Sequence, residues 1–581
     1  MTSLTSQASQ PGQEAVSNPS TKASEKHHKQ RYIQPYGAEG IENLEDYREN
    51  GLHPVEILDI LDGRFEVCHK LGSGGIATVW LCYETAKKRW RAIKVNAASH
   101  SSIDSPELRI SKLFQDKDIG AEQLERHHIV MAEETATFWI EGHNGKHLCS
   151  ILPVLGPSLS EWRDLAVGFD AVQAKKVGYE ITEGLHFLHE HGICHGDLRP
   201  QNILMRLSNG GLDHMDPDDL FQLISLHTRH EVRTIDGNKS LNAPKWVIEP
   251  LNWFELKDLV LDDVAIVDFG EAFETTSPPS SLGIPRPYAS PEVTYGGAPL
   301  GKESDMWSLA ITLMEIRTGE QLDGFESPLS RMESIAGPIP PPYRSIAAEE
   351  LYQEKLDEFK AYGQEDEPEP RPPSEKLLKS TRALTELFWM ESQAEGEIDY
   401  SSSESPTKIE DYLGEELWEK VLVPKEDNIE EGQPTATLQP YRIPTRELTM
   451  LADLLRGMLK YEPRDRTKIS SVLEHPWFKI ELEDKKIVIE ELGEQLLGSE
   501  SKGADTPKET YEGLGRPGGQ PRIKISYNQI LSWSHISLPI LLSLIILWKL
   551  GWGTESVMIK NLEVVNIVVA PTQPWADTNQ R

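Results

Sequence analysis

The stretch FEVCHKLGSGGIATVWLCYE (Phe65–Glu84) alternates apolar and polar residues in two runs around a glycine cluster, which predicts two strands joined by a tight turn. Residues without a Cβ let the backbone approach a ligand closely, so such turns suit phosphates. A dinucleotide-binding turn would lead into a helix, whereas LGSGGIATV (Leu71–Val79) leads into the β-type run Val79–Tyr83. The segment therefore reads either as a strand–turn–strand laid over phosphates or as an ordinary glycine hairpin. The residues around it must decide.

Working outward, RWRAIKV (Arg89–Val95) reads as a third strand. AVQAKKVGYEITEGLHFLHEHG (Ala171–Gly192) has helical spacing, with Val177, Ile181, Leu185 and Leu188 on one face and a closing glycine. SDMWSLAITLMEIRTG (Ser304–Gly319) reads as a second apolar helix with Ser304 at its N-cap, and ELTMLADLLRGMLKYEP (Glu447–Pro463) as a third. Strands first, helices later and no internal period predict an α+β protein with a β-rich first lobe and a mainly helical second lobe.

The flanks divide by composition. Residues 1–31 are rich in Ser, Thr, Gln and Pro and are expected to be a disordered tail, with neither a secretory h-region nor the arginines of a transit peptide. Residues 32–64 read as an N-terminal extension, 65–478 as the main domain, 479–524 as a linker and 551–581 as a tail. Within the domain, an insertion at about 206–262 mixes polar residues with short apolar patches. Another, at about 349–431, holds 25 Asp+Glu and 9 Lys+Arg, a net of 9 − 25 = −16 in 83 residues; it is expected to be largely disordered, with short helices such as Lys376–Met390. Ile525–Trp548 contains no Asp, Glu, Lys or Arg, which makes 525–550 a candidate transmembrane segment with Trp533, Trp548 and Trp552 towards its ends. A buried helix or a non-native tail is the alternative reading of that segment.

Four further motifs follow the glycine loop in order. They are AIKV (Ala92–Val95), HGDLRPQN (His195–Asn202), DFG (Asp268–Gly270) after an apolar run, and SPE (Ser290–Glu292). Five such pieces in this sequence resemble the eukaryotic protein kinase superfamily over roughly Phe65–Phe478. The resemblance implies a bilobal kinase fold that uses ATP and Mg²⁺. It implies that Leu71, Gly72, Ser73, Gly74, Gly75, Ile76, Ala77, Thr78 and Val79 cover the nucleotide. Lys94 would contact the α- and β-phosphates, paired with a helix glutamate for which Glu107 in SPELRISKLF is the candidate, although Ser105–Pro106 places it in a first helical turn. Asp197 would accept the substrate hydroxyl proton, Arg199 would face the transferring phosphoryl, and Asn202 and Asp268 would hold the metal. DMWSLA (Asp305–Ala310) and RDRTKISSVLEHPWF (Arg464–Phe478) resemble the family's second-lobe landmarks, implying that Asp305 braces the catalytic loop and Arg466 pairs with Glu292.

A closer resemblance is to the SR-protein kinase family of serine/threonine kinases. It rests on EDYRENGLHPVEILDILDGRFEVCHKLGSGGIATVWL (Glu45–Leu81), ILPVLGPSL (Ile151–Leu159), the small Gly196 after His195, and the long spacer between Asn202 and Asp268. It implies Ser/Thr acceptors in basic, Arg/Ser-rich protein substrates. Pro200 fits the Ser/Thr pattern, whereas Arg199 replaces the usual Lys and Ala77 the third glycine. With Gly196, no guanidinium at that position can grip a phosphorylated activation loop, so the loop is expected to order without phosphorylation.

The whole chain has 59 Lys+Arg against 93 Asp+Glu, a net of −34, which argues against direct nucleic-acid binding because phosphate neutralisation needs clustered cations. Four cysteines without a CxxC pair argue against a disulfide framework or structural zinc, and favour a reducing, intracellular setting, cytoplasmic or nuclear. If 525–550 spans a membrane, the kinase lobes must face the cytosol, where ATP is. The alternative from another functional class is a pseudokinase or scaffold that binds partners through the acidic insertion; Lys94, Asp197, Asn202 and Asp268 speak against it.

Overall fold

The computed structural model describes residues 31–480 apart from 166–168, 209–210, 225–227, 321–326, 363–368, 394–397, 401–408, 416 and 424–434. The expected N-terminal tail before Arg31, the linker after Ile480, the candidate membrane segment 525–550 and the C-terminal tail lie outside the described residues. Among the described residues, no helix is long and apolar enough to cross a membrane.

After a two-residue strand, β1 (Tyr32–Ile33), the first lobe is one antiparallel sheet. It comprises β2 (Ile60–Leu61), β3 (Phe65–Ser73), β4 (Ala77–Glu84), β5 (Arg89–Asn96), β6 (Thr137–Gly142) and β7 (Gly145–Leu152), in the order β2-β3-β4-β5-β7-β6. Helices α1 (Pro106–Gln115) and α2 (Ala121–Arg126) fall between β5 and β6. Strand residues point alternately to opposite faces, and here both faces are buried. Val67, Trp80, Cys82, Ile93 and Val95 form one core with Phe65 and Phe138. Cys68, Leu81 and Trp90 form another, covered by Leu212, Leu220, Ile224, Leu251, Trp253 and Leu256.

Those covering residues come from the 206–262 insertion. In chain order the second lobe begins with α3 (Leu159–Asp164), α4 (Ala171–Glu190), β8 (Ile193–Cys194) and β9 (Ile203–Leu207). The insertion then contributes α5 (Pro217–Leu223), β10 (Arg229–Glu231), β11 (Arg233–Thr234) and β12 (Trp246–Ile248) before returning as β13 (Val260–Ile266), which pairs antiparallel with β9. Its short apolar patches are thus lids on the first-lobe sheet. Trp90 Nε1 donates to Met215 O at 2.9 Å, and β11 pairs with β1.

Beyond β14 (Phe273–Glu274) and α6 (Pro291–Tyr295), α7 (Lys302–Thr318) is buried along nearly its whole length, so it shows little amphipathic period. It starts at Lys302 after Gly301, so Ser304 is inside the helix rather than its cap, and its hydroxyl donates to Glu292 at 2.8 Å. It ends at Gly319, whose φ of +71° suits glycine. α4 crosses it so closely that a Cβ on Gly178 would lie 2.7 Å from Leu313 Cδ2.

The acidic stretch departs from the expectation of a largely disordered segment. After α8 (Pro328–Ala336), α9 (Pro341–Tyr362) occupies its first part, followed by α10 (Glu375–Lys379), α11 (Leu384–Gln393), α12 (Ile409–Leu413) and β15 (Leu417–Val423). β15 pairs with β16 (Thr435–Tyr441), and α13 (Thr445–Met458) rejoins the core. The reason is long-range. Leu377, Leu384, Leu387, Ile409 and Leu413 enter the second-lobe core, and the buried Glu333 of α8 accepts the Leu384 and Thr385 amides at 2.7 and 3.0 Å, capping α11. Local charge counts cannot register such partners.

Candidate active site

The glycine loop spans the end of β3 and the start of β4, with Gly72 opposite Val79 and Ser73 opposite Thr78. Leu71 packs against the insertion's apolar cluster, Thr78 is buried, and Ile76 is exposed at the tip. The Gly74 amide donates to Ala77 O at 2.9 Å across the turn. Neither packing nor backbone explains the glycines: a Cβ on Gly72, Gly74 or Gly75 would meet nothing within 4 Å, and none has a positive φ. The open space beside them leaves room for a ligand such as a phosphate to approach the backbone closely. Ala77 is also free of positive φ, so its methyl costs no strain there.

On β5, opposite Val79, Lys94 meets two carboxylates. Its Nζ is 2.8 Å from Asp268 Oδ1 and 3.5 Å from Glu107 Oε2. Burial alone would lower the Lys94 pKa, but the two anions outweigh it and hold it above the usual lysine value. Ser105 caps α1 and Pro106 opens it, so Glu107 does sit in the first turn. It still reaches Lys94 because its other oxygen, Oε1, accepts the Ala132 amide at 3.0 Å. Asp268 is held ionised chiefly by Lys94, below the ordinary aspartate range. Its φ of +62° is a left-handed conformation uncommon for a side-chain-bearing residue. Next to it the Phe269 ring is fully buried, 4.9 Å from the His195 ring.

The catalytic loop hangs from α7. Asp305, buried, accepts the His195 and Gly196 amides at 2.9 Å each and also faces His189 Nε2 at 2.9 Å. Burial alone would raise the Asp305 pKa, but His189 and the Gly196 amide overcome it. Asp305 is therefore a brace, not merely a helix cap. His195 Nδ1 accepts the Asp197 amide at 3.2 Å, which leaves the proton on Nε2 to donate to Val267 O at 3.1 Å. His195 is thus committed to holding the loop.

Asp197 and Asn202 form one unit. Asn202 Nδ2 donates to Asp197 Oδ2 at 2.7 Å and to Asp197 O at 2.8 Å, and Arg199 Nε lies 3.1 and 3.2 Å from the two carboxylate oxygens. Burial raises the Asp197 pKa, with Arg199 and His195 opposing. Fixing the Asn202 NH₂ on Asp197 leaves its amide oxygen, with the Asp268 carboxylate, as hard oxygen donors of the kind Mg²⁺ takes.

The activation segment is fastened at several points besides the expected pairing of Glu292 with Arg466. Gly196 has φ +80°, and a Cβ there would lie 2.4 Å from Glu271 O and 3.2 Å from Leu282 Cδ2. The Glu271 carboxylate accepts the Gly283 amide at 2.9 Å, closing the segment back on itself. Further along, Tyr288 donates to Glu315 at 2.7 Å, while Glu315 also takes Arg163. The segment ends at Glu292, which forms a fully buried bidentate pair with Arg466 at 2.7 Å on both arms. Beside it, Arg286 opens onto a groove of about 540 Å³ lined by Ile346 and by Glu349, Glu350, Glu354 and Asp357 of α9.

Similarity to known proteins points the same way. Residues 65–247 and 256–478 match the family model described as a protein kinase domain. The chain is 36% identical over 169 residues to SRSF protein kinase 3 of Homo sapiens, and 36% identical over 187 residues to protein kinase dsk1 of Schizosaccharomyces pombe. These matches cover 28% and 30% of this chain, and 29% and 32% of those proteins, so under a third of each is spanned. A longer match, 25% identical over 469 residues, covers 75% of this chain and 91% of the serine/threonine-protein kinase SRPK of Physarum polycephalum. With the family model matching well over half of its length, the chain belongs to the protein kinase domain family.

Proposed function

We propose that the protein is an ATP-dependent serine/threonine kinase of the SR-protein-kinase type, acting on basic, Arg/Ser-rich protein substrates. One observation carries the catalytic part: Lys94 is held between Glu107 and Asp268 while Asp197 and Asn202 are joined on the facing loop. In this reading Lys94 and the backbone of Leu71–Val79 hold the nucleotide phosphates, and Asn202 and Asp268 hold Mg²⁺. Mg²⁺ held there would supply neutralisation of the phosphate charge. Asp197 orients the acceptor hydroxyl and takes its proton at a carboxylate oxygen, and Arg199 places positive charge at the same point. Retention of Lys94, Asp197, Asn202 and Asp268 favours an enzyme over a pseudokinase scaffold.

The substrate class draws support from the acidic wall of the α9 groove, where burial raises the Glu350 pKa and Arg286 at 3.6 Å opposes that rise. Arginine-rich peptide would meet opposite charge there. A radiolabelled-ATP assay with an Arg/Ser-rich peptide and with a plain basic protein tests the reading. Labelling of serine in the first, lost in Asp197→Ala while nucleotide binding persists, is the expected result; full activity in Asp197→Ala would overturn it.

The packing at Gly196 supports a second element of the proposal. Glu271 and Leu282 occupy the space a side chain would need, so the activation segment is ordered by contact rather than by a phosphate–arginine pair. The enzyme is then active without activation-loop phosphorylation.

A further inference from the structure

Just before the glycine loop, Lys70 is buried completely, with its ammonium on Glu42 of the N-terminal extension. Glu42 is itself 4% exposed and also accepts the Tyr47 hydroxyl. Three residues on, Ser73 Oγ donates to Gly40 O at 3.3 Å. Gly40 has φ +63°, and a Cβ on it would lie 2.9 Å from the Pro250 ring, so the extension is pressed onto the insertion here. The next insertion residue, Leu251, donates its amide to Lys70 O at 2.9 Å. The root of the loop is thus held through a side chain by residue 42, through a backbone carbonyl by residue 251, and through a hydroxyl by residue 40.

A buried ion pair adds little net stability, because desolvation offsets the attraction; its better-attested use is to fix one arrangement among several. The arrangement fixed here is the end of β3, where pairing with β4 is irregular between Lys70 and Gly72. Without the pair, packing alone would leave the register of the loop less determined. We propose that Glu42 and Lys70 are positioning residues of the nucleotide site, setting the height of the glycine loop over the phosphates from outside the catalytic domain's own motifs. This rests on the phosphotransfer reading above.

The test compares the full chain with Glu42→Gln and with the double variant Glu42→Gln/Lys70→Met, measuring kcat, KM for ATP and for peptide, Mg·ADP affinity by calorimetry, and melting temperature. Glu42→Gln is expected to weaken ATP KM and Mg·ADP affinity by about tenfold, with kcat and peptide KM nearly unchanged. In the double variant, which leaves no unpaired buried charge, melting temperature recovers while nucleotide affinity does not. Should the single variant fail to fold, the double variant carries the same test. Wild-type nucleotide affinity in either folded variant overturns the proposal. A wild-type chain that binds no nucleotide overturns the phosphotransfer reading itself, which separates the two failures.

Discussion

Two groups of carboxylates in this protein have the same chemistry and opposite circumstances. Those of the cleft are incompletely enclosed: the Asp268 side chain is 37% exposed although Lys94 holds one oxygen. Those of the scaffold are sealed, as in Glu292–Arg466, where neither side chain is exposed, and Arg317–Glu447, at 5% and 0%. A sealed pair has satisfied its partners and cannot itself take a ligand; it acts only through the backbone it holds. A cleft carboxylate keeps valence for a ligand, at the cost of some stability. Their titrations differ too. Burial pushes Asp197 up, while for Glu292 the Arg466 guanidinium overcomes burial and brings the carboxyl below its usual value.

The comparison breaks most sharply if function and stability fail to separate. Asp197→Ala should lower kcat by about 10³-fold or more while the melting temperature stays near wild type. Conversely, Arg466→Ala should destabilise by about 3–5 kcal/mol in denaturant titration, because it strands a buried Glu292, yet leave activity per folded molecule largely intact. Comparable activity losses in both variants would erase the distinction.

Acid titration sharpens it. The Asp197 pKa is raised, so proton acceptance should fade as pH drops through a value above that of ordinary aspartate, visible as an acid limb in kcat/KM. The Glu292 pKa is lowered; its contribution to stability is present above the unfolded carboxylate value and is lost only as pH falls through the lower folded one. Activity should therefore decline before the fold does.

Smaller effects belong to the exposed acids. The double variant Glu350→Lys/Glu354→Lys should raise KM for an Arg/Ser-rich peptide by roughly threefold to tenfold, the scale of ~1 kcal/mol for a partly exposed ion pair. High salt should narrow the gap. The smallest expected effect is none: phosphatase treatment should leave the purified enzyme as active as before. Silencing by that treatment would show that contacts at Gly196 are insufficient to order the segment.

What could be read from the sequence was local. Lys94, Asp197, Asn202 and Asp268 stand at fixed offsets in short motifs, because each motif is a turn or strand end that places its own side chain. Glu107 was only a candidate drawn from the family resemblance, against its first-turn position, and it lies 3.5 Å from Lys94 Nζ. Of the groups that fasten those motifs, Asp305 and Arg466 were implied by the family resemblance, but others were not: Glu42 finds Lys70 across 28 residues and Glu271 closes on Gly283 through a loop. The same limit applies to the insertions. The apolar patches of 206–262 and the leucines of the acidic stretch are too widely spaced to show a period, and their partners lie in other elements.

Gly196 also has a consequence for descent. An arginine at that position is a single-residue change on paper, yet the first atom of any side chain would collide with Glu271 O at 2.4 Å on a backbone already at φ +80°. Acquiring phosphate control would thus demand rebuilding Glu271, Leu282 and Gly283 at the same time. The position can therefore exchange its glycine only together with the packing of the segment that follows it, and a change at residue 196 alone would be read first as a loss of fold.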